Sequence, residues 1–293
     1  MSTLPALDVG GTHVTAARVD PAAREIAGSA LRRSLDSSGS AAEIIAVLCA
    51  AVDDVAVPGQ PLGVAMPDPF DYKHGIAKFR DVGKFDQLHG VDLSAAIADG
   101  ARIRPTSVHF VNDADAFTLG EWIAGAARGA RRCLGLTLGT GIGSGFLVDG
   151  RLPDDVSGLP RNGRVHNLHL GGVPLEDLVS RRAIRRDYAQ VTGDERADVR
   201  DVAERARHGD RMAGKVLDRA FRALGATLAP VLTAFAPDVI VVGGSMSASW
   251  DLFEPSFLAG AAELGQPRSP SIVVVRDTEH AALIGAAFHS ITA

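Results

Sequence analysis

Apolar and polar positions alternate along the chain with two different periods, and the switches between them mark its elements. Leu4–Val9 is a short apolar run, and residues 13–19 alternate apolar with polar. Both read as strands, joined by Gly10, Gly11 and Thr12. Ala41–Val55 has apolar residues at helical spacing. Residues 61–65 are another strand, and 66–85, with Pro67, Pro69, Tyr72 and Gly75, read as an irregular surface loop of the kind that often holds specificity. A strand over 107–111 runs directly into a helix reaching about residue 126. Two short apolar runs over 136–148 flank a glycine-rich turn. The pattern breaks down over 151–175, where Pro, Gly, Asn and His predominate and a loop is expected. Helices are expected over 176–190, 199–208 and Arg211–Phe235, the last with Val216, Leu217, Ala220, Leu224, Leu228, Val231 and Leu232 on one face and a kink at Pro230. A strand over 238–242 ends in Gly243, Gly244 and Ser245. A helix from Trp250, a strand over 271–275 and a closing helix over 280–290 complete the chain. The plan is a strand-turn-strand unit followed by strands alternating with helices, twice over, which is an α/β pattern.

The 136–148 stretch is the most informative. Gly139, Gly141, Gly143 and Gly145 alternate with Thr140, Ile142 and Ser144. Glycines let backbone N–H groups come close to a ligand and accept positive φ, and Thr137 and Thr140 add hydroxyls. That make-up fits an anion cradle, most often for phosphate, although a tight hairpin with no ligand stays open on this stretch alone. The dinucleotide fingerprint fails because Ser144 stands at its third glycine and a strand comes next; the P-loop pattern is absent. The first hairpin repeats the plan with an acid, Asp8, at the end of its leading strand. An acid beside a phosphate cradle calls for a cation between them, and Mg²⁺ binds through one or two carboxylates, waters and phosphates. Asn112 or Asp113 can cap the helix beginning there. Both also stand at a strand C-terminus, where ligands gather in open α/β sheets.

Composition narrows the classes. Of 293 residues 46% are hydrophobic, enough for one large or two medium domains. A net charge of −5 offers no basic field for nucleic acid or membrane lipid. Cys49 and Cys133 match neither a metal spacing nor a disulfide framework. The N-terminal residues lack a signal-peptide layout, and no apolar run reaches membrane-spanning length, so a cytoplasmic protein is expected.

Asp8-Val9-Gly10-Gly11-Thr12, Asn112-Asp113-Ala114, Leu138-Gly139-Thr140-Gly141-Ile142-Gly143 and Val241-Val242-Gly243-Gly244-Ser245 occur in the order and spacing of ROK-family, glucokinase-like sugar kinases, and the chain resembles that family over nearly its whole length. The resemblance implies the actin/hexokinase/Hsp70 ATPase architecture: two ribonuclease-H-like α/β domains with a cleft that holds ATP and Mg²⁺. We place them at 1–112, completed by the closing helix over 280–293, and at 113–279. By the same resemblance Asp8 helps hold Mg²⁺, and Gly10, Gly11 and Thr12 face the γ-phosphate. Thr137, Gly139, Thr140 and Gly141 cradle the β- and γ-phosphates, and Gly243 and Gly244 pack on the adenosine. Asp113 is the general base and Asn112 a sugar ligand. The expected partners are a small-molecule sugar and a second copy of the chain, with no nucleic acid and no membrane.

Three departures bear on the sugar. The family's zinc-binding cysteines are missing, so no structural zinc is expected. Asn162-Gly163-Arg164-Val165-His166 stands where the family has Gly-Glu-x-Gly-His, so His166 matches the histidine and the glutamate has no counterpart, with Arg164 near the gap. Glu176 fits the glutamate beyond the family's cysteines, and His13 replaces a lysine. The expected reaction is phosphorylation of a hydroxyl on a hexose or modified hexose, the alternative acceptor being a kanosamine-like amino sugar or a cyclitol. A non-catalytic sugar sensor or regulator is the competing class, disfavoured by Asp8 and Asp113 and by the lack of a helix-turn-helix ahead of Asp8.

Overall fold

Two sheets carry the chain, each with its own hydrophobic core. The computed structural model describes residues 2–153, 158–263 and 270–292. The chain divides into one unit of residues 1–128 with 279–293 and another of residues 129–278.

In the first unit β1 (Leu4–Val9) and β2 (His13–Asp20) form an antiparallel hairpin, and β3 (Glu25–Ile26) and β4 (Leu31–Ser34) also pair with β2. Helix α1 (Ala41–Val55) leads to β5 (Leu62–Met66), parallel to β1. A small hairpin of β6 (Phe70–Asp71) and β7 (Ile76–Ala77), then α2 (Leu93–Gly100), precede β8 (Val108–Asn112), parallel to β5. Helix α3 (Asp113–Ala124) continues from β8 with no linker. All five residues of β5 are buried, as expected of a parallel strand covered on both faces.

The second unit repeats the plan. Strands β9 (Arg132–Leu138) and β10 (Ile142–Val148) are an antiparallel hairpin. After β11 (His169–Leu170) and β12 (Val173–Pro174) come α4 (Glu176–Val179), α5 (Arg181–Thr192), α6 (Val199–Arg207) and α7 (Arg211–Phe235). Strand β13 (Val239–Gly243) pairs parallel with β9; next come α8 (Trp250–Glu263) and β14 (Ser271–Val274), parallel to β13. The order β10-β9-β13-β14 thus matches β2-β1-β5-β8 in the first unit. The last helix, α9 (Thr278–Thr292), returns to the first unit from Glu279 onward.

Polar side chains set where the helices begin. Ser40, Asp92, Asn112, Ser180, Asp198 and Asp210 each accept a hydrogen bond from a backbone N–H of the first helical turn, satisfying donors the helix itself leaves open. The doubled α/β plan and the limits of β1, α1 and α7 agree with the sequence pattern, and α7 runs on through Pro230.

Four differences have identifiable causes. Residues 66–85 are not a surface loop: Phe79 and Phe85 are fully buried, and Phe70 packs on Phe110 with ring centroids 4.9 Å apart. Their aromatic rings fill the first core while the proline- and glycine-rich backbone between them stays irregular. The 176–190 helix breaks at Ser180, which caps α5. Short α2 buries only Leu93 and Ile97, too few to register as a helical period. Helix α3 packs in the first unit, past the boundary expected at residue 112. Part of the expected 151–175 loop, residues 154–157, lies outside the described residues.

Within each unit, helices meet at glycines. A Cβ on Gly285 of α9 would lie 1.8 Å from the Ala116 carbonyl oxygen of α3, and one on Gly63 of β5 would lie 2.0 Å from that of Ala286. In the second unit Gly225 of α7 and Gly260 of α8 face the carbonyls of Phe257 and Arg222 at 1.9 and 2.0 Å in the same sense. Gly285→Ala is therefore expected to destabilise by ~1–3 kcal/mol through overpacking. Gly214→Ala in α7, where a Cβ meets nothing within 4 Å, is expected to stabilise by ~0.5–1 kcal/mol. Urea midpoints at unchanged m-value measure both.

Candidate functional site

In the first unit the candidate residues lie at the C-terminal ends of β1, β5 and β8. Asp8 is half-buried on β1, opposite Thr15 of β2 and beside Ala65 of β5. Burial, with Asp113 and Glu279 nearby, pushes its carboxyl from the usual 3.8 up to about 8, against a smaller opposing pull from Arg32. Thr15 donates a hydrogen bond to Glu279, the second residue of α9. His13 lies 3.2 Å from the same Glu279 oxygen, and Arg32 is 2.6 Å from His13 Nε2. Three carboxylates thus crowd one end of the sheet. Among the described residues no three acids, histidines or cysteines are arranged to hold a metal ion. A hard cation at Asp8 would take its other ligands from water and phosphate, which is how Mg²⁺ usually binds.

The turn after β1 is closed by Gly10 N–H donating to the His13 carbonyl at 2.9 Å, while the N–H groups of Gly11 and Thr12 have no acceptor among the described residues. Neither Gly10 nor Gly11 has positive φ.

Asn112 is buried and caps α3, its Oδ1 accepting from Ala114 and Asp115 N–H at 3.0 and 3.3 Å. Its Nδ2 donates to Asp68 Oδ2 and to the Tyr72 hydroxyl, both at 3.1 Å. Tyr72 in turn donates to Asp68 Oδ1 at 2.9 Å. All four hydrogen-bonding positions of the Asn112 amide are thus engaged within the protein. Asn112 holds the site together, and the half-buried Asp68 and Tyr72, both inside the stretch read as an irregular loop, are the polar groups beside it. Their signal in the sequence was two polar side chains among buried aromatics just after a strand. Asp113, the first residue of α3, is half-buried and accepts from Ala114 N–H at 2.8 Å.

In the second unit Gly139, Thr140 and Gly141 connect β9 to β10, and Gly139 N–H donates to the Gly141 carbonyl at 3.0 Å. The N–H groups of Thr140 and Gly141 have no acceptor among the described residues; Thr140 is exposed and Thr137 half-buried. None of the four glycines here has positive φ, and at Gly141 it is space, not backbone conformation, that selects glycine. A Cβ on Gly141 would stand 2.2 Å from Glu176 Oε1, the oxygen that accepts from Ile142 N–H at 3.3 Å. Glu176 is accordingly a brace of this turn. Gly244, at φ +90°, does need glycine: a Cβ there would meet the Leu138 carbonyl oxygen at 2.4 Å. Its N–H is held by Thr278 at 2.8 Å, and Met246 N–H donates to Leu138 at 3.0 Å, so the end of β13, Gly243 and Gly244, packs against the cradle. A cavity of about 650 Å³ opens beside this turn between Ser245, Met246 and Ser249 on one side and Asp198, Glu204 and His208 on the other.

Fully buried Ser144 ties the His166 loop to β10: its hydroxyl donates to the Gly163 carbonyl at 2.5 Å and accepts from Val165 N–H at 3.0 Å. Arg164, expected near an open gap, is buried and donates to the Ser144 carbonyl at 3.2 Å. His166 is half-buried, and its ring has no hydrogen bond among the described residues.

The family model described as the ROK family matches residues 4–163 and 171–292. The glucokinase of Thermotoga maritima is 32% identical over 217 residues, covering 66% of this chain and 67% of that protein. Among solved structures, the ROK hexokinase from Thermus thermophilus superposes with a TM-score of 0.81 at 25% identity, over 99% of this chain and 98% of that one. A ROK-family glucokinase from Streptomyces griseus, solved with glucose and AMPPNP, has a TM-score of 0.76 at 24% identity with all of both chains covered.

The crowding around Asp8 has a measurable consequence. Its carboxyl holds a proton more tightly folded than unfolded, so the folded chain binds more protons between about pH 4 and pH 8 and stability falls as pH rises through that window. Asp8→Asn removes this loss. In metal-free buffer it is expected to melt above the wild type at pH 8 and close to it at pH 4, by scanning calorimetry at both pH values.

Proposed function

This chain belongs to the ROK family and is a sugar kinase, and from that premise we propose that it transfers the γ-phosphoryl group of ATP to a hydroxyl of a hexose or modified hexose, with Asp113 as the general base. The observation that carries the proposal is Asp113 itself. It heads α3 at the C-terminal end of β8, held by the Asn112 cap, with the charge of Asp8 close enough to interact. A sugar hydroxyl is a poor nucleophile, and a carboxylate within hydrogen-bond reach takes its proton as the O–P bond forms.

Most of the remaining rate comes from placing the reactants and neutralising phosphoryl charge. The N–H pairs of Gly11 with Thr12 and of Thr140 with Gly141 are fixed donors for phosphate oxygens, needing no reorganisation when charge develops. Asp8 is the residue to hold Mg²⁺, which when bound would supply charge neutralisation at the phosphates; the burial and the neighbouring carboxylates that raise its pKa both favour a cation there. Gly243 and Gly244 with the adjoining cavity are the place for the nucleoside. Among acceptor contacts we favour Asp68, Tyr72 and His166 over Asn112 and Glu176, whose hydrogen bonds serve the protein.

The acids gathered around β1, β5 and β8, namely Asp8, Asp68, Asp113 and Asp115, favour the amino-sugar alternative through charge-assisted bonding to an ammonium. On that reading kcat/KM for glucose is at least ~10²-fold below that of the preferred amino-substituted acceptor, ~2.7 kcal/mol in transition-state binding. A coupled ADP-release assay over neutral and amino hexoses and cyclitols measures it, and glucose as the best substrate would rule the alternative out. In the same assay Asp113→Asn is expected to keep nucleotide binding and lose at least ~10²-fold in kcat. Near-normal turnover would remove Asp113 from the mechanism.

A further inference from the structure

Helix α5 buries Ala183, Ile184 and Tyr188 and turns Arg181, Arg182, Arg185 and Arg186 outward. These four arginines line a second cavity of the second unit, about 660 Å³ in volume, with Thr140 of the cradle on its wall. Arg181 differs from the other three. It also lines the cavity beside Ser245 and Met246, and among the described residues it alone belongs to both walls. Ser245 in turn lies against the cradle, its Oγ 3.4 Å from where a Cβ on Gly139 would stand. The backbone and the side chain of Arg181 have separate partners. Its N–H donates to the Gly139 carbonyl at 3.0 Å and holds that end of the cradle. Its guanidinium forks onto Asp198, Nε to Oδ1 at 2.7 Å and Nη2 to Oδ2 at 2.6 Å. Asp198 is itself the cap of α6, its Oδ1 accepting from Val199 N–H at 2.8 Å. The two side chains are 44% and 37% exposed, so water competes for their ion pair and the pair is weak.

We propose that Arg181 is a nucleotide-binding residue whose guanidinium leaves Asp198 for the diphosphate of the donor. The proposal rests on the reading of the cradle as the phosphate site. A nucleotide with its nucleoside beside Ser245 and its terminal phosphates on the Thr140 and Gly141 N–H groups passes Arg181, because that residue lines the way at both ends. A carboxylate and a phosphate offer a guanidinium fork the same pair of oxygens, so the exchange keeps the geometry and gains charge. The neighbouring arginines are placed differently. Arg182, Arg185 and Arg186 line only the α5 cavity; Arg200 and Arg207 line only the one beside Ser245, and Arg207 is held by Asp251 at 2.6 Å. Asp198 is then a competing acceptor. It occupies the fork in the free protein, and a ligand that must displace it binds more weakly than one that finds the fork open.

The test is equilibrium binding of ADP, inorganic pyrophosphate and adenosine to the full chain and to two variants, Arg181→Gln and Asp198→Asn. Both variants keep the local frame: glutamine at 181 retains the N–H that holds Gly139, and asparagine caps a helix as well as aspartate does. Arg181→Gln is expected to weaken ADP and pyrophosphate at least ~10-fold, the size of one lost charge-assisted contact, and to leave adenosine within about twofold. Asp198→Asn is expected to tighten ADP and pyrophosphate at least about twofold, the scale of an exposed ion pair released. Effects of opposite sign are the signature of partner exchange, since a pair that only braced the frame would weaken binding when broken from either side. Equal ADP affinity of wild type and Arg181→Gln overturns the proposal, and so does a loss as large for adenosine as for ADP. Asp198→Asn that fails to tighten ADP overturns the exchange. Absence of sugar phosphorylation with ATP overturns the kinase reading, whereas pyrophosphate held through Arg181 still supports the site. A wild type that binds neither ADP nor pyrophosphate overturns the site.

Discussion

Backbone-to-backbone contact between helices is the constraint on which the rest of this protein depends. Where α9 crosses α3 and β5, Gly285, Gly120 and Gly63 leave no room for a Cβ, with carbonyl oxygens 1.8 to 2.0 Å from where one would stand. That approach brings the first turn of α9 to the end of β1, so Glu279 reaches Thr15 and His13 next to Asp8. It also seats α3, whose first residue is Asp113, over the same sheet end. The second unit uses the device again at Gly225 and Gly260, and Gly244 presses the end of β13 onto Leu138 beneath the cradle. Helices held by side chains alone would sit about 8–10 Å apart with room to slide. Backbone contact fixes their register, and with it the positions of groups that are far apart in the chain.

Charge is distributed unevenly between the two units. The first gathers carboxylates at the ends of its central strands, and burial together with the neighbouring Asp113 and Glu279 raises the Asp8 carboxyl well above its usual range. The second has no such acidic concentration around its cradle among the described residues; it offers backbone N–H groups open to a ligand and an arginine-rich helix. An acid cluster suits a cation and a hydroxyl that must lose a proton, while N–H groups and guanidiniums suit phosphate. Each half of the doubled fold thus gathers groups of its own kind, carboxylates in the first unit and backbone N–H groups with guanidiniums in the second.

Several polar residues near the strand ends and turns are hydrogen-bonded within the protein. Asn112 caps α3 and bridges to Asp68 and Tyr72, Glu176 braces the cradle at Ile142, and Arg164 is tied to Ser144. A polar side chain next to a glycine turn has the same appearance whether it meets a ligand or the turn's own N–H. Its hydrogen-bond partners within the protein come from distant parts of the chain.

Local periodicity was sufficient for β1, α1, α7 and the doubled order of strands and helices, because burial of one face imposes a period that neighbouring residues share. The positions of Asp8, Asp113 and the two glycine turns were legible for a related reason: each sits where a strand gives way to a turn or a helix. The aromatic core of residues 66–85, the placement of α3 with the first unit, the meeting of Glu279 with Thr15 and His13 and the Asp68–Tyr72–Asn112 cluster were decided only in three dimensions. Each depends on residues well separated along the chain, and no local pattern encodes which of them will touch. That is settled when close-packed helices and sheets leave only one arrangement that fits.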